Sequence, residues 1–210
     1  MINQLCKFHD MRIAILLPAL ILMFLSSGCA KAQKSTSGKN ILIVYLSRTN
    51  NTKAVAEIIQ KNVGGTITAI ELENPYPKDY KTTVNQVSNE LQTGFLPALK
   101  TKINNMDQYN IVFVGFPTWS MQLPPPIQSF LKQYNLSGKT VIPFNTNAGY
   151  GVGNSFETVK KLCPESTILK GFTIKGGVEK EGVLLVIKDQ QKKQAMRLVE
   201  NWLKEIKLLQ

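Results

Sequence analysis

The strongest constraint on this chain is an abrupt junction between residues 41 and 52. An unbroken apolar run, Ile41 to Leu46, passes directly into Ser47-Arg48-Thr49-Asn50-Asn51, and a helical pattern begins at Thr52. A short run that is apolar at every position has no solvent face, so it reads as a strand covered on both sides, the situation of a parallel sheet. The following helix, Thr52 to Val63, places Ala54, Val55, Ile58 and Ile59 on one face and stops at Gly64-Gly65. Strand, polar turn and amphipathic helix together make one β-α unit.

The unit recurs down the chain. Thr66 to Leu72 reads as a second strand, Asp79 to Gln92 as a mostly polar helix, and Ile111 to Phe116 as a third strand. Pro124-Pro125-Pro126 suits a helix start, where a missing amide hydrogen costs nothing, and Ile127, Phe130 and Leu131 supply that helix with a buried side. Val141 to Phe144 is a fourth strand, Phe156 to Leu162 a short helix, and Thr167 to Ile174 contains the last strand. A final helix carries the stripe Ala195, Met196, Val199, Trp202, Leu203 and Ile206. Such alternation predicts an α/β fold with a doubly wound, five-stranded parallel sheet in three α/β/α layers.

Ahead of the first strand the sequence has a different character. Met11-Arg12 precedes an apolar run from Ile13 to Leu25, followed by Ser26-Ser27-Gly28-Cys29. The run is short for a membrane span, and residues 1–28 read as a signal peptide. Small residues ending in a cysteine resemble a bacterial lipoprotein cleavage box, which implies lipidation of Cys29; the competing reading is an uncleaved anchor. Residues 29–39, rich in Lys, Ser and Gly, are too polar to build a core and read as a flexible tether. The folded domain then spans 40–210. The expected location is the bacterial cell envelope, as a periplasm-facing membrane lipoprotein.

Processing at Cys29 would remove the single histidine, His9, and one of the three cysteines, Cys6. Histidine-assisted nucleophilic catalysis and imidazole metal sites are thereby excluded from the mature form. The net charge of +11 favours acidic partners or surfaces. The lysines are scattered through helices rather than gathered in a nucleic-acid motif, so no nucleic-acid partner is expected.

In an open α/β sheet, ligands bind beyond the carboxyl ends of the strands, which directs attention to three loops. After the first strand, Ser47, Arg48, Thr49, Asn50, Asn51 and Thr52 bring hydroxyls and amides, without a carboxylate, to a helix N-terminus. That combination suits a phosphate monoester, the alternative being a merely capped helix. After the third strand come Pro117-Thr118-Trp119-Ser120, and after the fourth Asn145-Thr146-Asn147-Ala148-Gly149-Tyr150-Gly151. The Gly-x-Gly-x-Gly spacing at 149–153 follows the fourth strand rather than opening the first unit, so it is not a dinucleotide fingerprint.

Tyr45-Leu46-Ser47-Arg48-Thr49-Asn50-Asn51-Thr52 resembles the flavodoxin phosphate loop, with Asn50 where glycine is usual. The stretch from Gly115 to Pro125 is similar to the flavodoxin loop that covers one face of the isoalloxazine ring, and Asn145 to Gly153 to the third flavin loop. The resemblance implies a sheet order of 2-1-3-4-5, FMN as cofactor, Trp119 stacked on the ring and Tyr150 against its second face. It also implies a difference at Ser120, where glycine commonly allows a peptide flip toward flavin N5; weaker stabilisation of the one-electron-reduced ring follows. The function implied is electron transfer by an exported, lipid-anchored FMN protein, handing electrons to acidic redox proteins or small acceptors such as quinones. The alternatives are an FMN-dependent NAD(P)H:quinone-type reductase and a cofactor-free binding lipoprotein.

Overall fold

The computed structural model describes residues 40–210. The predicted signal peptide, Cys29 and the tether lie outside the described residues. Residues 40–210 hold every strand, helix and core cluster set out below and fall within one compact unit. No described helix is long and apolar enough to cross a membrane.

The elements alternate as β1 (Ile41–Tyr45), α1 (Asn51–Val63), β2 (Thr66–Ala69), α2 (Tyr80–Thr93), β3 (Ile111–Pro117), α3 (Pro125–Gln133), β4 (Thr140–Asn147), α4 (Ser155–Leu162), β5 (Thr167–Ile168), β6 (Phe172–Lys175) and α5 (Asp189–Glu205). The sheet runs β2-β1-β3-β4-β5, with β6 also paired to β4, and every pairing is parallel. The doubly wound layering is the one read from the residue pattern, and the order 2-1-3-4-5 is the one the flavodoxin resemblance implies.

The apolar runs explain the layers. Ile41, Ile43 and Tyr45 point into a core shared with α1 and α5, while Leu42 and Val44 point into a second core under α3 and α4. Period-two alternation in a strand with no polar position therefore serves two cores at once. Gly115 in β3 is demanded by packing, because a Cβ there would lie 2.1 Å from Cζ of the fully buried Phe144 on β4. The α5 stripe packs as expected, with Ala195, Val199, Trp202 and Leu203 buried and Met196 and Ile206 at its margins.

Two expectations are corrected. The last strand is not continuous: it breaks between β5 and β6, where the Lys170 carbonyl accepts from Trp202 Nε1 at 2.9 Å. Gly171 there faces the Phe156 ring, 2.6 Å from a Cβ position. The second strand stops at Ala69 rather than Leu72, because the chain turns to pair with residues near 100: Leu72 bridges Leu99, and Thr101 Oγ1 both accepts from Glu71 N at 2.7 Å and donates to Ala69 O at 2.9 Å.

Candidate functional site

The loops that follow β1, β3, β4 and β6 converge on one cavity of about 640 Å³ at the carboxyl end of the sheet. Its floor is the start of α1. Asn50 sits at the helix entry in the left-handed conformation, φ 63° and ψ 3°, which an asparagine tolerates better than most residues. The Asn50 side chain makes no cap hydrogen bond to α1, and no acidic residue occupies its first turn. Apart from the Lys53 amide, which donates to Ser47 Oγ at 3.3 Å, the opening amides keep their positive end toward the cavity side.

The hydroxyls around this turn are set as donors. Ser47 Oγ accepts from Lys53 N, and Thr49 Oγ1 accepts from Asn51 Nδ2 at 2.9 Å, so both retain their own hydrogen. Thr52 Oγ1 and Thr146 Oγ1 lie 2.8 Å apart in a buried pair. One hydroxyl of such a pair donates to the other, leaving a single hydrogen for a third group. An acceptor-only guest such as a phosphate matches this arrangement.

Asn51 plays a different part from its neighbours. It is 2% exposed, and its Oδ1 accepts from Val186 N at 2.9 Å and Ile187 N at 3.1 Å while its Nδ2 also donates to Leu184 O at 2.7 Å. The side chain ties the segment preceding α5 to the entry of α1. Gly176 packs against it, with a Cβ position 3.2 Å from Asn51 Cβ.

The second loop forms a tight turn. Trp119 and Gln122 exchange backbone hydrogen bonds, Gln122 N to Trp119 O at 2.8 Å and Trp119 N to Gln122 O at 3.3 Å. Between them Ser120 and Met121 both have positive φ, 48° and 58°. Side-chain-bearing residues pay a steric penalty there, so the turn is strained at a cavity wall. The half-buried Trp119 lines the cavity and meets the Tyr76 ring edge-on, centroids 5.4 Å apart at 84°. Tyr76 Oη in turn donates to the buried Glu90 carboxylate, which also accepts from Gln86 Nε2 at 2.9 Å. Burial first, and the bond to Glu90 second, raise the Tyr76 phenol well above its ordinary value, so it remains a neutral donor.

The third loop is braced from below. Asn145, fully buried, donates to Phe116 O at 3.1 Å and Thr118 Oγ1 at 3.0 Å. Thr118 N donates to Thr146 O at 3.0 Å, and Thr118 Oγ1 to Gly151 O at 2.9 Å. Asn147 Oδ1 accepts from Gly149 N at 2.8 Å and Gly151 N at 3.2 Å, so those two amides turn inward to a side chain. Asn154 N donates to Met121 O at 3.0 Å, locking this loop to the strained turn. Gly153 is required at that contact, where a Cβ would lie 1.9 Å from Met121 O.

Most residues singled out in the sequence meet in this cavity. Arg48, Thr49, Asn51, Thr52, Pro117, Thr118, Trp119, Ser120, Thr146, Asn147, Tyr150 and Gly151 line it. Ser47, Asn50, Asn145 and Gly149 do not line it; they serve the turn and the bracing described above. Tyr150 is 77% exposed at the rim. The fourth wall was not anticipated: Gly176 to Glu181, including the 3-10 turn Glu179–Glu181, lines the cavity beside the entry of α1, and Tyr80 and Met121 join the lining. Gly176-Gly177 directly after a strand is the sequence signal that marks this loop as a close approach, since a Cβ on Gly177 would lie 1.9 Å from Leu184 O.

A doubly wound parallel sheet whose strand-end loops enclose a helix start and an aromatic wall defines a protein of the open α/β class, with its cavity at the carboxyl end of the strands. The flavodoxin family model matches residues 40–189, and the chain belongs to that family. Among solved structures it is similar to a candidate flavoprotein from Bacteroides eggerthii, with 30% identity, a TM-score of 0.62, and 80% of this chain covered against 97% of the other. A second candidate flavoprotein, from Bacteroides uniformis, is 25% identical with a TM-score of 0.64, covering 80% and 99% of the two chains. A flavoprotein in complex with FMN from Lactobacillus acidophilus shares the fold at 21% identity and a TM-score of 0.59, with 65% and 93% covered. No curated protein sequence matches.

Proposed function

We propose that this protein binds FMN in the cavity and transfers electrons through it, as an envelope protein held to the membrane by a lipid on Cys29. The observation that carries the reading is the donor-set cradle at α1: a helix start that Asn50 leaves uncapped, hydroxyls of Ser47 and Thr49 whose oxygens already accept, and the Thr52–Thr146 pair with one spare hydrogen. Those groups would hold the phosphate. Trp119 offers the apolar wall for the ring, and the exposed Tyr150 stands at the rim. The cavity of about 640 Å³ lies within the usual range for a cofactor site. FMN, when bound, supplies one- and two-electron chemistry; the chain binds it, orients it and shields one face. Acidic redox proteins, or small acceptors such as quinones, suit the net charge of +11.

The test is to mix purified residues 40–210 with FMN, desalt, and record absorption and fluorescence. Stoichiometric flavin with quenched emission is expected. Loss of all flavin on desalting refutes the reading in favour of a cofactor-free binding protein, and rapid turnover of NADH or NADPH with a quinone would make the protein a reductase instead of a carrier.

A further inference from the structure

Arg48 stands in the middle of the phosphate-type loop, where a guanidinium is most readily assigned to an anion. Each of its three nitrogens is engaged away from the cradle, which uses three of its five N–H groups. Nε donates to Glu179 Oε1 at 2.6 Å, Nη1 to the Pro77 carbonyl at 2.9 Å, and Nη2 to the Lys78 carbonyl at 2.7 Å. These acceptors sit on two separate loops, the β2–α2 connection and the 3-10 turn that follows β6, and each bond spans a long sequence separation. The pair is largely shielded, with side-chain exposures of 18% for Arg48 and 22% for Glu179.

We infer that Arg48 is a positioning residue, a three-way staple that ties the β2–α2 connection and the cavity wall at 176–181 to the β1–α1 loop, and is not a ligand of the phosphate. A planar guanidinium can meet three acceptors in different directions without changing its conformation, which a lysine ammonium on a flexible stem cannot reproduce. Glu179 compensates the positive charge locally, so the residue offers little net attraction to an anion. Moving Arg48 onto a phosphate would break three hydrogen bonds and leave Glu179 as a bare carboxylate beside the cradle. The three segments are therefore joined before any ligand arrives, and the staple acts on whatever part of the guest the cavity encloses.

The affinity arm of the test rests on the flavin reading; the exchange arm does not. Residues 40–210 are compared as wild type, Arg48→Lys, and Arg48→Ala combined with Glu179→Gln, the last removing the bare carboxylate that would otherwise repel phosphate. FMN and riboflavin, which lacks the phosphate, are titrated by fluorescence quenching, and amide exchange is followed across 176–187 without ligand. A staple predicts that the double variant weakens both flavins by the same factor, about tenfold, as expected for lost charge-assisted bonds. It also predicts that Arg48→Lys fails to restore affinity and that exchange in 176–182 accelerates. A large loss for FMN with riboflavin unchanged would make Arg48 a phosphate ligand, and unchanged exchange would overturn the staple. If the wild type binds neither flavin, the flavin reading fails while the exchange result still decides the role of Arg48.

Discussion

Asn51→Ala isolates a strut that the sequence places in the cofactor loop and the structure uses to hold a neighbouring wall. The substitution deletes the acceptor for Val186 N and Ile187 N, and the donor to Leu184 O and Thr49 Oγ1. Ile187 is 3% exposed, so its amide has no ready access to water. An orphaned buried amide costs about 1–3 kcal/mol, and the half-exposed Val186 amide costs less, so the total loss is about 3 kcal/mol. Asn51→Asp keeps both acceptor bonds and places a negative charge favourably at a helix start, but faces Leu184 O with a second acceptor and meets an incoming phosphate with like charge. It is expected to fold with about 1 kcal/mol of loss while FMN affinity falls steeply. Urea unfolding at constant slope measures the stabilities, and hydrogen exchange at Val186 and Ile187 reports the strut directly. An Asn51→Ala protein within about 0.5 kcal/mol of wild type, with both amides still protected, would show that the hydrogen bonds do not carry the wall.

Other perturbations probe the remaining features. Gly115→Ala drives a methyl into the Phe144 ring and should cost about 3 kcal/mol, with substantial recovery in combination with Phe144→Leu; additive losses would mean the clash is relieved elsewhere. Ser120→Gly removes a positive-φ penalty of about 1–2 kcal/mol against an unfolded-state cost of about 0.4–1, so the melting temperature should rise by about 2 °C, and a fall would refute the strain. Burial pushes the Cys163 thiol up to about 11, so alkylation at pH 8 should proceed only as fast as the fold opens. Because the fold favours the neutral thiol, its contribution is fully present below the unfolded thiol value and is lost as pH rises toward about 11. Cys163→Ala should flatten stability over that alkaline interval, and an unchanged pH profile would contradict it.

The sheet and most of the cavity are legible because their causes are local. An apolar run followed at once by hydroxyls and a helix can be little else than a β-α unit with a polar turn above the sheet, and Asn50 at positive φ fits the expected turn. What sequence reading misses depends on distant partners. Asn51 and Arg48 look like cofactor ligands beside Thr49, and only the folded chain shows them bonded to residues more than a hundred positions away, at 184–187 and 179. The wall from Gly176 to Glu181 lacks hydroxyl enrichment, so nothing but its paired glycines announces it. The break between β5 and β6 depends on Trp202 reaching back to Lys170 O, a contact that no strand propensity encodes.

That break has a consequence for how copies of the protein behave toward one another. An open sheet ends in two rows of backbone groups able to recruit a strand from another molecule. Here one border is the four-residue β2, and the other is divided into pieces of two and four residues, with an indole already holding the carbonyl between them. Neither border offers a long uninterrupted template. Molecules crowded side by side on a surface would find little to zip together, and the sheet can remain open at its functional end without inviting fibrous association.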